Sequence, residues 1–170
     1  MSSFALTLGA NFNGNSTRFK VWAPEKKVLI VRGDKEIEME PSNNGYHEKE
    51  LTDIAPGDIY KLKVSSGLLL PDPVSRFLPQ GLEGGTEIIN QSDFKWEDSK
   101  WKGINPENLI IYELHVGTFS KNETYDGLRT RIPYISYIGH TCLELLPLVE
   151  CNGKRGWGYD GINLYAPFHP

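Results

Sequence analysis

The sequence predicts a mainly β N-terminal domain, a small immunoglobulin-like β-sandwich, followed by a single β-α-β unit. Three observations carry this. Short runs alternating apolar and polar residues recur about every ten residues through the first half of the chain, with turn chemistry between them. After Pro106 the pattern changes to a nearly continuous apolar run, a helical spacing and a second apolar run. The length of 170 residues leaves room for one domain plus part of another. It excludes a complete (β/α)₈ barrel, which typically takes about 250 residues.

The strands are expected at Arg18–Trp22, Val28–Val31, Ile37–Met39, Tyr46–Leu51 and Ile59–Val64. Ala23-Pro24, Gly33-Asp34, Asn43-Asn44-Gly45 and Ala55-Pro56-Gly57-Asp58 separate them. From 69 to 103 the chain is irregular, rich in Pro and Gly, and ends in Phe94, Trp96 and Trp101. So many aromatics predict a connector packed against its neighbours, since free linkers are Gly/Ser- or Pro-rich. Leu109–Val116 reads as a parallel strand buried on both faces. Apolar residues at 125, 128, 132, 135 and 138 recur at helical spacing, interrupted by Pro133. The well-formed helix is therefore expected to start near Arg131, with Pro133 in its first turn and Gly139 just past its end. A second buried strand is expected at Cys142–Leu146.

Composition excludes several function classes. A net charge of −4 gives no electrostatic footprint for nucleic acid or an anionic membrane surface. No apolar run approaches a membrane span, and the N-terminus has no basic, apolar leader pattern, so a cytoplasmic protein is expected. Cys142 and Cys151 do not form a disulfide framework and are expected as reduced thiols. The histidines at 47, 115, 140 and 169 are too scattered to suggest a zinc site, and no cofactor motif occurs. No metal and no cofactor are expected.

Glu113 and His115 in the first apolar run, and Glu144 in the second, are ionisable groups in apolar surroundings. Period two puts Glu113 and His115 on one face. They read as an acid/base pair or as a structural polar network, and mid-strand position favours the network. Chemistry is expected past the strand ends instead. There, Lys154-Arg155-Gly156-Trp157-Gly158-Tyr159-Asp160-Gly161 can present the Trp157 and Tyr159 rings between glycines for stacking on a pyranose. Arg155 and Asp160 can hydrogen-bond sugar hydroxyls. The bland alternative is a tight, aromatic-pinned loop in which Asp160 caps a turn.

Several segments carry a family resemblance. RFKVWAP (18–24), PDPVSRFLPQGLEGGTEI (71–88), FKWEDSKWKG (94–103), IIYELHVGTFS (110–120), GHTCLELLPL (139–148) and GKRGWGYDGINLYAP (153–167) occur in order along the chain. Together they resemble the start of the α-amylase superfamily of glycoside hydrolases, and within it the maltooligosyltrehalose trehalohydrolases. The resemblance implies an E-set, isoamylase N-terminal-like sandwich over 1–92, a connector over 93–106, and over 107–170 the first β-α-β of a (β/α)₈ TIM barrel. It implies an enzyme that cleaves the α-1,4 bond next to the trehalose end of maltooligosyltrehalose by retaining double displacement. An α-glucan oligosaccharide is then the partner, and Tyr159 matches the tyrosine that stacks on the sugar. The catalytic carboxylates of that family lie in motifs this sequence does not contain, so no catalytic residue is expected and the chain alone is expected to be inactive. Departures from the pattern are Gly84-Gly85-Thr86, His140 and Glu150-Cys151-Asn152. Two rival readings are a non-catalytic α-glucan-binding module and the corresponding portion of a branching or debranching enzyme. Asp160-Gly161 directly after Trp157-Gly158-Tyr159 favours the trehalohydrolase.

Overall fold

The computed structural model describes residues 6–24 and 27–169. These fall into two compact units: the chain to Asp93 with 149–156 and 160–170, and 94–148 with 157–159.

In the first unit, β1 (Gly9–Phe12), β2 (Thr17–Trp22), β5 (Glu40–Pro41) and β6 (Tyr46–Leu51) form an antiparallel sheet in the order β1-β2-β6-β5. A second antiparallel sheet runs β4-β3-β7-β8, from β3 (Val28–Arg32), β4 (Lys35–Glu38), β7 (Ile59–Val64) and β8 (Leu69–Leu70). The short β9 (Thr86–Glu87) also pairs with β7. Alternation decides the faces: in β2, Thr17, Phe19 and Val21 are buried while Arg18 and Trp22 are exposed. Inward residues of both sheets form one core, including Phe19, Val21, Val28, Ile30, Tyr60 and Leu62. Phe19 meets Tyr60 edge-on at 5.0 Å between centroids. Burying an aromatic of this size contributes about 1.5–3 kcal/mol. The five expected strands are all present, each within two residues of its expected ends.

The stretch expected as a connector divides in two. Its first part is built into this unit, with Asp72, Ser75, Leu78 and Ile88 buried. Its second part corrects the expectation of packing: Phe94, Trp96 and Trp101 are exposed. They lie outside strands and helices, and only Phe94 and Trp96 meet each other, at 4.8 Å between centroids.

Outside the core, Glu48 accepts from both Arg18 and Lys20 at 2.7 Å. Those two cations, Lys20 foremost, hold its carboxyl at a pKa of about 2. The unfolded chain therefore takes up a proton first as pH falls. The stabilisation by Glu48 is complete above pH 4.5 and is lost as pH drops toward about 2. Glu48→Gln is expected to flatten this acid limb in thermal melts between those pH values. An unchanged limb would show that other carboxylates govern it.

The first unit also holds β12 (Val149–Glu150) paired with β13 (Asn163–Pro167). In the second unit, β10 (Ile111–Leu114) pairs in parallel with β11 (Cys142–Leu145). Between them lie α1 (Val116–Phe119), α2 (Tyr125–Arg129) and α3 (Ile132–Tyr137). The side chain of Thr124 caps α2 by accepting from the Gly127 N–H at 3.1 Å. The 125–138 spacing is thus two short helices, with Pro133 in the first turn of α3 and the Gly139 N–H closing on Ser136. Leu114, Val116, Leu128 and Ile135 form the core of this unit. The expectation that 109–116 is buried on both faces is corrected, because Ile110 and Ile111 are exposed. This sheet has two strands, too few for each face to be covered along its length. Among the described residues no helix is long and apolar enough to cross a membrane, and both cysteines are free.

Candidate functional site

The second unit presents Trp157 and Tyr159 at the ends of its two parallel strands. His115 directly follows β10 and is the N-cap residue of α1. Its ring meets the Trp157 indole edge-on, with centroids 5.4 Å apart. Pro147 lies two residues past β11, and its carbonyl is pressed against Gly158. Gly158 has φ +88°, and a Cβ added there would overlap the Pro147 carbonyl oxygen. Only glycine satisfies both the left-handed backbone and that close approach. The loop is therefore clamped at its middle residue, while the flanking Trp157 and Tyr159 are 63% and 71% exposed. Two open aromatic rings thus stand on either side of a fixed backbone position. Arg155 and Asp160, also expected at the site, are exposed residues that belong to the first unit.

The expected buried network of Glu113, His115 and Glu144 does not form. Glu113 and Glu144 are directly opposite in register and both are exposed, so water solvates the two like charges. The strand ends at Leu114, and His115 starts the turn into α1 with its ring against Trp157.

Two polar clusters in the first unit had no clear signal in the sequence. The first centres on Asp72, where Oδ2 accepts from the buried Tyr60 hydroxyl at 2.6 Å and Oδ1 from the Val74 N–H at 2.8 Å. The Asp72 carbonyl accepts from Asn163 Nδ2 at 2.9 Å, joining residues 91 positions apart. Burial raises the Asp72 pKa, and burial beside that carboxylate pushes Tyr60 well above its ordinary value. Arg76 turns to the backbone, donating to the carbonyls of Leu8 and Ala10. The second cluster is the fully buried Glu150, whose Oε2 lies 2.6 Å from His169 Nδ1. Its Oε1 accepts from the Cys151 N–H at 3.1 Å. Burial, with the Glu150 charge beside it, pushes the Cys151 thiol up, so this cysteine is poorly nucleophilic. Both clusters tie distant backbone together. The one legible signal was PDPVSR, which carries Asp72 and Arg76.

No family model matches the chain. A malto-oligosyltrehalose trehalohydrolase from Deinococcus radiodurans is 39% identical over 158 residues, covering 92% of this chain and 26% of that protein. The chain is related to the malto-oligosyltrehalose trehalohydrolases. A 1,4-alpha-glucan branching enzyme from Rhizobium johnstonii is 32% identical over 197 residues, covering 97% of this chain and 26% of that protein. Among solved structures, a Salmonella typhimurium protein provisionally named an alpha amylase superposes with a TM-score of 0.91 at 32% identity. That match covers 97% of this chain and 29% of the other. The chain thus spans less than a third of the trehalohydrolase, and the mainly β architecture is that of the corresponding part of an α-amylase-family protein.

Proposed function

We propose that this chain is the N-terminal portion of an α-glucan-active glycoside hydrolase that cleaves the α-1,4 bond next to the trehalose end of maltooligosyltrehalose, releasing trehalose. On this reading residues 1–92 are the immunoglobulin-like sandwich, 93–106 the connector and 107–170 the first β-α-β of a (β/α)₈ barrel. The observation that carries it is the clamped loop, which holds Trp157 and Tyr159 open at the C-terminal ends of two parallel strands. Barrel enzymes bind substrate at that end of their strands. Trp157 and Tyr159 stack on glucose rings, and Arg155 and Asp160 bond to hydroxyls. The identity to a trehalohydrolase supports the substrate class.

Retaining hydrolysis needs two carboxyl groups about 5–5.5 Å apart, one of them a nucleophile. Glu113 and Glu144 lie within their strands and in water, not at the loop end where the aromatics are. The chain by itself is therefore a binder and not a catalyst. Calorimetry with maltooligosyltrehalose tests this. Trp157→Ala and Tyr159→Ala should each weaken binding about tenfold, equivalent to 1.4 kcal/mol, and purified chain should release no trehalose. Unchanged affinity in both variants would remove sugar from this loop, and trehalose release would overturn the inactivity. Equal affinity for a plain maltooligosaccharide of the same length would favour the branching-enzyme reading.

A further inference from the structure

Three Asn-Gly steps occur in the sequence: Asn13-Gly14, Asn44-Gly45 and Asn152-Gly153. At such a step the glycine nitrogen can attack the asparagine carboxamide, because no Cβ on the glycine shields it. The attack needs a nitrogen free to move and a carboxamide free to turn toward it. All three asparagines are exposed, so exposure does not separate them. Hydrogen bonding does.

Asn13 is held by its side chain. Its Oδ1 accepts from the Asn15 N–H at 3.0 Å and the Ser16 N–H at 2.9 Å, and its Nδ2 donates to the Ser16 hydroxyl at 2.9 Å. Asn44 is held through its backbone. It has φ 60° and ψ 31°, and its carbonyl accepts from Trp22 Nε1–H at 3.1 Å. On either side, the Asn43 and Gly45 carbonyls accept from the Tyr46 and Ala23 N–H groups. Swinging the Gly45 nitrogen toward the side chain would rotate the peptide that holds the indole. Asn152 has neither restraint. Among the described residues, neither its carboxamide nor the Gly153 N–H has a hydrogen-bond partner. Gly153 has φ +88°, with nothing within 4 Å of where a Cβ would stand. Lys154 and Arg155 follow directly, whereas no Lys or Arg lies within two residues after Gly14 or Gly45. Adjacent cations favour the anion formed when the Gly153 nitrogen loses its proton.

We propose that Asn152-Gly153 is a site of spontaneous modification in the loop between β12 and β13. Hydroxide removes the Gly153 amide proton, the nitrogen bonds to Asn152 Cγ, and the Cγ–Nδ2 bond breaks. Nδ2 leaves as ammonia with a proton from water, which restores the hydroxide, and a cyclic imide remains. Water then opens the imide. Addition at Cγ gives aspartate, and addition at the main-chain carbonyl gives isoaspartate, whose chain runs through the side-chain carbon. Each product carries a carboxylate where a neutral amide stood. The loop leaves β12 at the fully buried Glu150, whose Oε1 holds the Cys151 N–H. It returns at Ile162, whose N–H donates to the Glu150 carbonyl at 2.8 Å. The change thus falls on the first untethered residue after a fixed anchor.

Incubation of the full chain in warm, mildly alkaline buffer, with peptide mapping by mass spectrometry at intervals, tests this. Asn152 should show the amide-to-acid mass gain roughly tenfold faster than Asn13 or Asn44, the factor set by one or two hydrogen bonds that must first open. Its peptide should divide into two products of equal mass, aspartyl and isoaspartyl. In denaturant, where no turn holds Asn13 or Asn44, the difference between the three steps should shrink. An unchanged thermal melt during the incubation shows that the native fold is kept. Equal rates in the folded chain, or conversion of Asn13 or Asn44 first, would overturn the proposal. So would an Asn152 that stays intact for as long as the unfolded chain takes to convert. An undiminished difference in denaturant would overturn its assignment to the fold.

Discussion

Asp72→Ala is expected to cost the first unit about 2–4 kcal/mol, because it takes the acceptor from two hydrogen-bond donors at once. The loss goes well beyond one contact. The Tyr60 hydroxyl and the Val74 N–H both donate to this carboxylate, and Tyr60 is almost fully buried in the shared core of the two sheets. Alanine leaves both donors without an acceptor: the buried Tyr60 hydroxyl then costs about 1–3 kcal/mol, and the half-buried Val74 N–H costs less. Asp72→Asn keeps an acceptor for the backbone and removes only the charge, so its loss should be smaller, about 1–2 kcal/mol. Urea unfolding of the three proteins measures the order. Asparagine as damaging as alanine would mean that the charge, and not the acceptor geometry, is what the cluster needs. The pH dependence has a definite sign. Burial raises the folded pKa of Asp72 above its ordinary 3.8. The folded state thus keeps this proton longer than the unfolded chain. The contribution of Asp72 is greatest below pH 3.8 and declines as pH rises through the folded value. This is the reverse of Glu48, so Asp72→Asn should remove a loss on the alkaline side of that window while leaving the acid limb intact.

Strands β2, β3, β6 and β7 were legible because alternation over five or six residues records which face is buried. β8, β9 and β12 were not, since each has two residues and no period. β9 exists because β7 offers it an edge, and β12 because β13 does. Those are tertiary facts with no local trace. The apolar run at 109–116 predicted a strand correctly and its burial wrongly. A run of Ile and Leu reports preference for a covered sheet, while actual covering depends on how many strands and helices lie beside it. The same error produced the expected Glu113–His115–Glu144 network. Glu150 shows the opposite case. It stood out only as a departure from a family pattern, and it is fully buried against His169, 19 residues later. Nothing in the spacing of those two residues could have paired them. Trp157 and Tyr159 were legible as exposed rings because glycines flank them, and that chemistry is local.

Gly158→Ala is expected to disturb the loop that carries Trp157 and Tyr159 more than loss of either aromatic. The left-handed backbone at φ +88° costs a side chain about 1–2 kcal/mol. Overlap with the Pro147 carbonyl adds about 1–3 kcal/mol, since neither backbone can yield without moving a strand end. The chain will escape part of this by releasing the loop from β11, and that release separates Trp157 from His115. Near-UV circular dichroism should then lose the contribution of the fixed indole, while the melt of the first unit, which holds the Asp72 cluster, stays unchanged. Maltooligosyltrehalose affinity should fall further than in Trp157→Ala, because both rings lose their common support. Two variants that weaken binding equally would mean Tyr159 contributes nothing once Trp157 is misplaced. Wild-type affinity in Gly158→Ala would mean the rings find the sugar without being held. The clamp would then serve the fold and not the ligand, and the case for this loop as a preorganised site would rest on ring exposure alone.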